Sequence, residues 1–316
     1  MIQRFAHWIG GVALHWFYRD VRITGSDRIP LQGPILIAMN HQNALVDAIL
    51  ALWIIPRDVR LTAKATLGDG IFGRLLLKVV GIIPLQRASD GPTSSDPTRN
   101  RNSFKAIIEE MRRGGAVLVF PEGKSHNEPE IAPLKTGLAR AALRARETGV
   151  AGIRIIPIGI TFEEKSEPDT AVHAQVGDPI VVDDWNGDDP RVLTRAIADA
   201  LRTISLTGDI NPRIDSGSAQ RNGLIRLAAW WGRTMHTIPL RIARREAVRL
   251  SDDEGEPAMY TMTLGLGAII VSYLIEVPIA CLLFGRIVAL LFFASLITGA
   301  YWAAYADHSP ERSRVR

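Results

Sequence analysis

The strongest constraint on this chain is a pair of apolar runs near its carboxyl end, Thr261–Phe284 and Ile287–Tyr305, which are 24 and 19 residues long. They are almost wholly apolar apart from Glu276, and only Gly285 and Arg286 separate them. At about 1.5 Å per residue each run reaches across a hydrocarbon core of ~30 Å, which predicts a transmembrane helical hairpin. Glu276 and Pro278 sit awkwardly in a first span and leave a kinked or re-entrant arrangement open. Arg244, Arg245 and Arg249 precede the runs, and Arg312, Arg314 and Arg316 follow them. Basic residues on both flanks put both ends, and the domain before them, on the cytoplasmic face. The competing reading, two buried helices of a soluble fold, gains little from a domain that is already complete by residue 207.

Charge is distributed unevenly. The balance of 37 Lys and Arg against 33 Asp and Glu, a net +4, is too mild to argue for nucleic acid. From Asn211 to Leu250, however, eight arginines face two acids, Asp215 and Glu246, and are interleaved with Leu224, Trp230, Trp231, Ile238 and Ile242. That mixture suits a segment lying among anionic headgroups with its apolar side in the acyl region. No aromatic strand motif of an RNA-binding module accompanies it, and nucleic acid is not expected as a partner. The amino terminus carries Arg4 and the run Phe5, Trp8, Ile9, Val12, Leu14, Trp16 and Phe17, too short to span a bilayer. It is either an interfacial helix or an amphipathic helix packed on the domain's own core. Cys281 is the single cysteine, so no internal disulfide forms, and its apolar neighbours suggest a buried, inert thiol.

Between Val21 and Val182 short β-like apolar runs alternate with helical patterns, which predicts an α/β fold with a mostly parallel central sheet flanked by helices. Strands are expected at Ile35–Met39, Val59–Ala63, Ile82–Leu85, Ala116–Phe120, Ile153–Thr161 and Gln175–Val182. Helices are expected at Leu45–Trp53, Ile71–Val80, Phe104–Arg113, Thr136–Glu147 and Pro190–Ser205, with a solvated loop over Ala88–Asn102. The resulting organisation is an interfacial helix at 1–20, an α/β domain at 21–207, a basic membrane-surface segment at 208–257, the hairpin at 258–305 and a basic tail at 306–316.

The chemistry gathers after the first long strand, where Asn40-His41 ends a β run and Asp47 stands near the start of a helical pattern. An imidazole takes a proton from a hydroxyl near neutral pH, and a carboxylate on its second nitrogen fixes the tautomer. Residues six apart on one helix face different ways, so His41 and Asp47 pair only if the chain bends between strand and helix. Open α/β sheets bind ligands at that kind of junction. Alone, a His and an Asp at this spacing also fit an ordinary solvated loop.

Four ordered blocks change that balance. Asn40, His41 and Asp47 form the first, and Gly81, Pro84 and Arg87 in GIIPLQR the second. Phe120, Pro121, Glu122 and Gly123 in VFPEGKS form the third, and Ile156, Pro157, Ile158 and Gly159 in IIPIGITF the fourth. Together, over roughly residues 21–182, they resemble the glycerolipid and lysophospholipid acyltransferase family, the 1-acylglycerol-3-phosphate acyltransferases among them. The resemblance implies that His41 is a general base oriented by Asp47. It further implies that the second and third blocks hold the acceptor's phosphate, with Asn40, Lys64, Gly81, Arg87, Glu122, Gly123 and Lys124 as the binding residues.

Two departures bear on the acceptor. Five residues, Gln42 to Val46, lie between His41 and Asp47 where four are commonest, which resembles a subgroup acting on glycerol 3-phosphate or dihydroxyacetone phosphate. After Gly123 the chain reads Lys124-Ser125 where Thr-Arg is familiar, moving the positive charge by one residue.

The expected reaction is acyl transfer from acyl-CoA or acyl carrier protein to 1-acylglycerol 3-phosphate, or to glycerol 3-phosphate or another lysophospholipid. Backbone donors at or near Gly123 are candidates for the oxyanion site. No metal or bound cofactor is called for, and membrane lipids are the expected partners. A non-catalytic lipid-binding protein is the alternative of another class. A nucleotide P-loop fails because Leu118 stands where a glycine is needed, and no G-x-S-x-G or H-E-x-x-H pattern occurs.

Overall fold

The structure, a computed structural model, describes residues 2–65, 81–85, 97–126, 128, 130–206, 223–250 and 257–305. Helix α1 (Ile2–Phe17) leads into strand β1 (Asp20–Thr24), followed by β2 (Ile35–Met39), α2 (Ala44–Ile54), β3 (Arg60–Lys64) and β4 (Ile83–Leu85). Then come α3 (Pro97–Arg112), β5 (Ala116–Val119), α4 (Gly137–Glu147), β6 (Arg154–Phe162), β7 (Ala171–Val176), β8 (Ile180–Val181) and α5 (Pro190–Leu206). Three long helices finish the described chain: α6 (Gly223–Leu250), α7 (Pro257–Phe284) and α8 (Arg286–Tyr305).

The sheet runs β1-β7-β6-β2-β5-β3-β4, with β8 also paired to β6. Strands β6, β2, β5, β3 and β4 are mutually parallel, while β7 and β8 lie antiparallel to β6. Strand β2 is buried at all five positions, as expected where helices cover both faces of a parallel sheet. One apolar layer joins α1, α2 and the sheet through Leu14, Val46, Leu50, Ile37 and Ile158. The opposite layer joins α3, α4 and α5 to the sheet through Met111, Ala142, Leu201, Leu36 and Val117.

Several expectations change. The single strand expected at Gln175–Val182 is two strands, β7 and β8, broken where Pro179 supplies no N–H for a ladder. The break also follows Gly177, where a Cβ would stand 2.9 Å from Pro157. Strand β1 was not among the expected strands. The loop expected over Ala88–Asn102 is helical from Pro97 onward, the rest of it lying outside the described residues. The helix expected at Ile71–Val80 also lies outside them. The carboxyl half of α1 packs on protein: Leu14, Phe17 and Tyr18 are buried, and Trp16 donates its indole N–H to the carbonyl of Ala300 at 3.0 Å.

Helices α7 and α8 form an antiparallel hairpin turned at Gly285, whose φ of 86° lies in the left-handed region that glycine tolerates. Both are long and apolar enough to cross a membrane. The basic segment between domain and hairpin is, over 223–250, the third helix of a bundle with them. Its buried stripe is Ala229, Gly232, His236, Pro239, Ala243 and Ala247. Small residues there let backbones approach closely. Cys281, expected to be buried, is only partly so.

Candidate functional site

The parallel strands deliver their carboxyl ends to one edge of the sheet, and β2 ends there at Met39. Asn40, 1 % exposed, donates from Nδ2 to the carbonyl of Ile160 at 2.8 Å and accepts the Ile160 N–H on Oδ1 at 2.7 Å. Its side chain thus copies a strand peptide and ties the end of β2 to β6. One N–H and the oxygen of the amide are thus engaged with the backbone of Ile160, and Asn40 braces the turn.

The chain then folds back sharply. Asn43 has φ −139° and Ala44, the first residue of α2, has φ 42°, an unusual conformation for a side chain with a Cβ. This bend is what brings residues six apart into contact. His41 Nδ1 lies 2.9 Å from Asp47 Oδ2, and the same oxygen accepts the Asn43 N–H at 2.7 Å. A carboxylate only accepts, so Nδ1 carries the proton and Nε2 presents a lone pair. No described residue hydrogen-bonds Nε2. Asp47 is fully buried, and the Phe120 ring stacks on the imidazole with centroids 4.0 Å apart and 16° between planes.

Further groups support the turn from a distance in sequence. Asn43 Nδ2 donates to Tyr18 Oη at 2.9 Å and to the carbonyl of Lys165 at 2.8 Å, and the Tyr18 hydroxyl donates to that carbonyl at 2.9 Å. Burial, reinforced by the negative charge of Asp47, holds the Tyr18 hydroxyl well above its ordinary pKa, so it stays a proton donor. Lys165 Nζ lies 3.4 Å from the carbonyls of Gln42 and His126.

The third block lies beside the first because β5 pairs with β2. Glu122 is buried, and it is part of a turn, not the start of a helix. Its Oε1 accepts the His41 N–H at 2.6 Å, while Oε2 accepts the Ala132 N–H at 2.8 Å and contacts His126 Nε2. Glu122 therefore holds the backbone of His41 and is not exposed to a phosphate. The Gly123 N–H is spent on the carbonyl of Phe120 at 3.1 Å, which removes it as an oxyanion donor. Lys124 is exposed just beyond.

Lys64, also exposed, ends β3 on the same edge of the sheet, one strand beyond β5. Gly81 is elsewhere: it precedes β4 at the opposite edge, its carbonyl bonded to Arg60 Nε at 2.8 Å, so it does not join the others. Arg87 lies outside the described residues. The sequence reading missed Asn43, Tyr18, His126 and Lys165, whose partners are up to 147 positions away. The one local signal was an asparagine and a histidine next to the chosen blocks.

Residues 20–161 match the protein-family model described as Acyltransferase. The chain is 20 % identical over 300 residues to glycerol-3-phosphate O-acyltransferase 1 of Saccharomyces cerevisiae, covering 66 % of this chain and 40 % of that protein. It is 26 % identical over 166 residues to a chloroplastic 1-acyl-sn-glycerol-3-phosphate acyltransferase of Arabidopsis thaliana, covering 50 % and 42 %. The matches thus span less than half the length of these relatives. Among solved structures, the 1-acyl-sn-glycerophosphate acyltransferase PlsC of Thermotoga maritima aligns with a TM-score of 0.50 and 17 % identity, over 65 % of this chain and 78 % of that one. That likeness establishes a common fold.

Proposed function

We propose that this chain, whose residues 20–161 match the Acyltransferase family model, transfers a fatty acyl group from a thioester, acyl-CoA or acyl carrier protein, to the hydroxyl of 1-acylglycerol 3-phosphate. The observation that carries the reading is the His41–Asp47 pair, 2.9 Å apart at the carboxyl edge of a parallel sheet. His41 Nε2 accepts the hydroxyl proton as the oxygen attacks the thioester carbonyl, and Asp47 stabilises the imidazolium that forms. Collapse of the tetrahedral intermediate breaks the carbon–sulfur bond, and His41 returns the proton to the departing thiolate. Lys64, Lys124 and Arg87 are the cations assigned to the acceptor's phosphate. The domain works on the cytoplasmic face of a membrane, which the hairpin of α7 and α8 enters.

Glycerol 3-phosphate is the second acceptor to consider, because yeast relatives bear that name. The test is thiol release from acyl-CoA with each acceptor, for wild type and His41→Ala. His41→Ala should lose activity by ~10³-fold or more while remaining folded, as losing a base with its orienter does elsewhere. Equal rates would remove His41 from the mechanism, and the preferred acceptor is read from the same assay.

A further inference from the structure

The turn after β5 holds a second imidazole–carboxylate contact that the reaction above leaves unused. His126 Nε2 contacts Glu122 Oε2, and both side chains are at least nine-tenths buried. Glu122 accepts the His41 N–H at 2.6 Å, and the His126 N–H donates to the His41 carbonyl at 3.2 Å. The peptide unit on each side of His41 is therefore gripped, one by Glu122 and the other by His126. His126 Nδ1 is buried and has no partner among the described residues.

Facing a carboxylate, Nε2 carries a proton, so the charge of the ring is decided at Nδ1. The charged and titratable groups around the ring come from several elements. Glu122 is in contact, Lys165 reaches the His126 carbonyl from the loop after β6, and His41 with Asp47 stands across the turn. Lys124 and Glu128 are exposed on its own segment. We infer that His126 is a positioning residue for acyl transfer, which fixes His41 through Glu122 and sets how much of the Glu122 charge His41 feels. The inference rests on the reading of His41 as the base. With His126 protonated, Glu122 is neutralised and His41 faces Asp47 alone. With a neutral side chain at 126, two carboxylates hold the proton on His41, and the base is freed only at higher pH.

The test is the pH dependence of kcat/KM for thiol release by wild type, His126→Gln and His126→Lys. In His126→Gln the acidic limb should move up by about 0.5–1 pH unit, because Gln cannot take a second proton and so cannot offset the Glu122 charge beside the base. In His126→Lys, with its lasting cation, the limb should lie at or below that of wild type. In a Glu122→Gln background, His126→Gln should produce no further upward shift. Superimposable limbs for wild type and His126→Gln, whatever the fall in rate, would overturn the inference, as would an undiminished shift in the Glu122→Gln background. For variants too slow to assay, an NMR titration of labelled His41 in the folded protein reads the same shift. Assay and titration together separate the two claims: a fully active His41→Ala sinks the base reading, while an unmoved His41 titration sinks the role of His126.

Discussion

Asn40 shows how one buried side chain can carry a site without touching the chemistry. Its two hydrogen bonds to the peptide of Ile160 replace the strand pairing that stops where β2 ends, in surroundings that water does not reach. Asn40→Ala leaves the N–H and carbonyl of Ile160 without those partners, at about 1–3 kcal/mol for each buried group left unsatisfied. Thermal or urea unfolding should show a loss of about 2–6 kcal/mol on that basis. Activity should fall further than stability, since the displaced backbone carries His41. An unchanged unfolding midpoint would mean that β6 is anchored to the turn by other contacts. Of the first block, His41 and Asp47 were legible because their chemistry is local to a strand–helix junction. The bracing roles of Asn40 and Glu122 were not, because each depends on a partner 120 or 81 residues away.

At the scale of elements, the strand and helix periods name most of the sheet and the helices that cover it, and the failures have physical causes. Strand β1, DVRIT, is an edge strand with one fully buried position, so its alternation is faint. The first turns of α3, Pro97 to Asn102, are uniformly polar and offer no apolar stripe to read. The sequence shows α6 through its arginines and Trp230, which are exposed, while Trp231, edge-on to Phe292, and the small residues of the buried stripe make its contact with the hairpin. The tightest point is Gly232 on Gly299: a Cβ on Gly232 would stand 2.0 Å from the Gly299 carbonyl oxygen, and one on Gly299 would stand 3.0 Å from the Gly232 Cα. A Cβ on Gly267 meets nothing within 4 Å. The melting temperature of the detergent-solubilised protein should therefore fall most for Gly232→Ala, less for Gly299→Ala, and stay in place for Gly267→Ala. Overpacking of this kind costs ~1–3 kcal/mol. Equal effects at the three positions would mean that α6 is not packed against α8 at this crossing.

The whole molecule joins an α/β domain to an apolar bundle through shared core, not through a linker alone. Ala258, at the start of α7, is fully buried in the same cluster as Leu14 of α1 and Val46 and Leu50 of α2, and Met262 packs against it. From the other side, the Trp16 indole donates to the carbonyl of Ala300 on α8, and its ring meets His236 of α6 edge-on at 5.3 Å. Helix α1 is thus held between domain and bundle, which orders a segment whose sequence fits a membrane surface equally well. Away from the domain the hairpin turns outward, with Leu282, Leu283, Phe284, Ile287, Leu290 and Leu291 all exposed. Apolar surface on that scale is a liability in water and an anchor in lipid. Ending the chain after residue 222 removes the bundle and also strips α1 and α2 of the residues that cover them. Such a chain should need detergent to stay monodisperse, and size-exclusion chromatography in detergent-free buffer should find it aggregated. A soluble monomer with full activity on a short-chain acyl donor would show instead that the domain closes its own core, leaving the bundle as an anchor and nothing more. If aggregation is found, the site's supporting turn, reached from α1 through Tyr18 and Asn43, depends on the same contacts that hold the protein to its membrane.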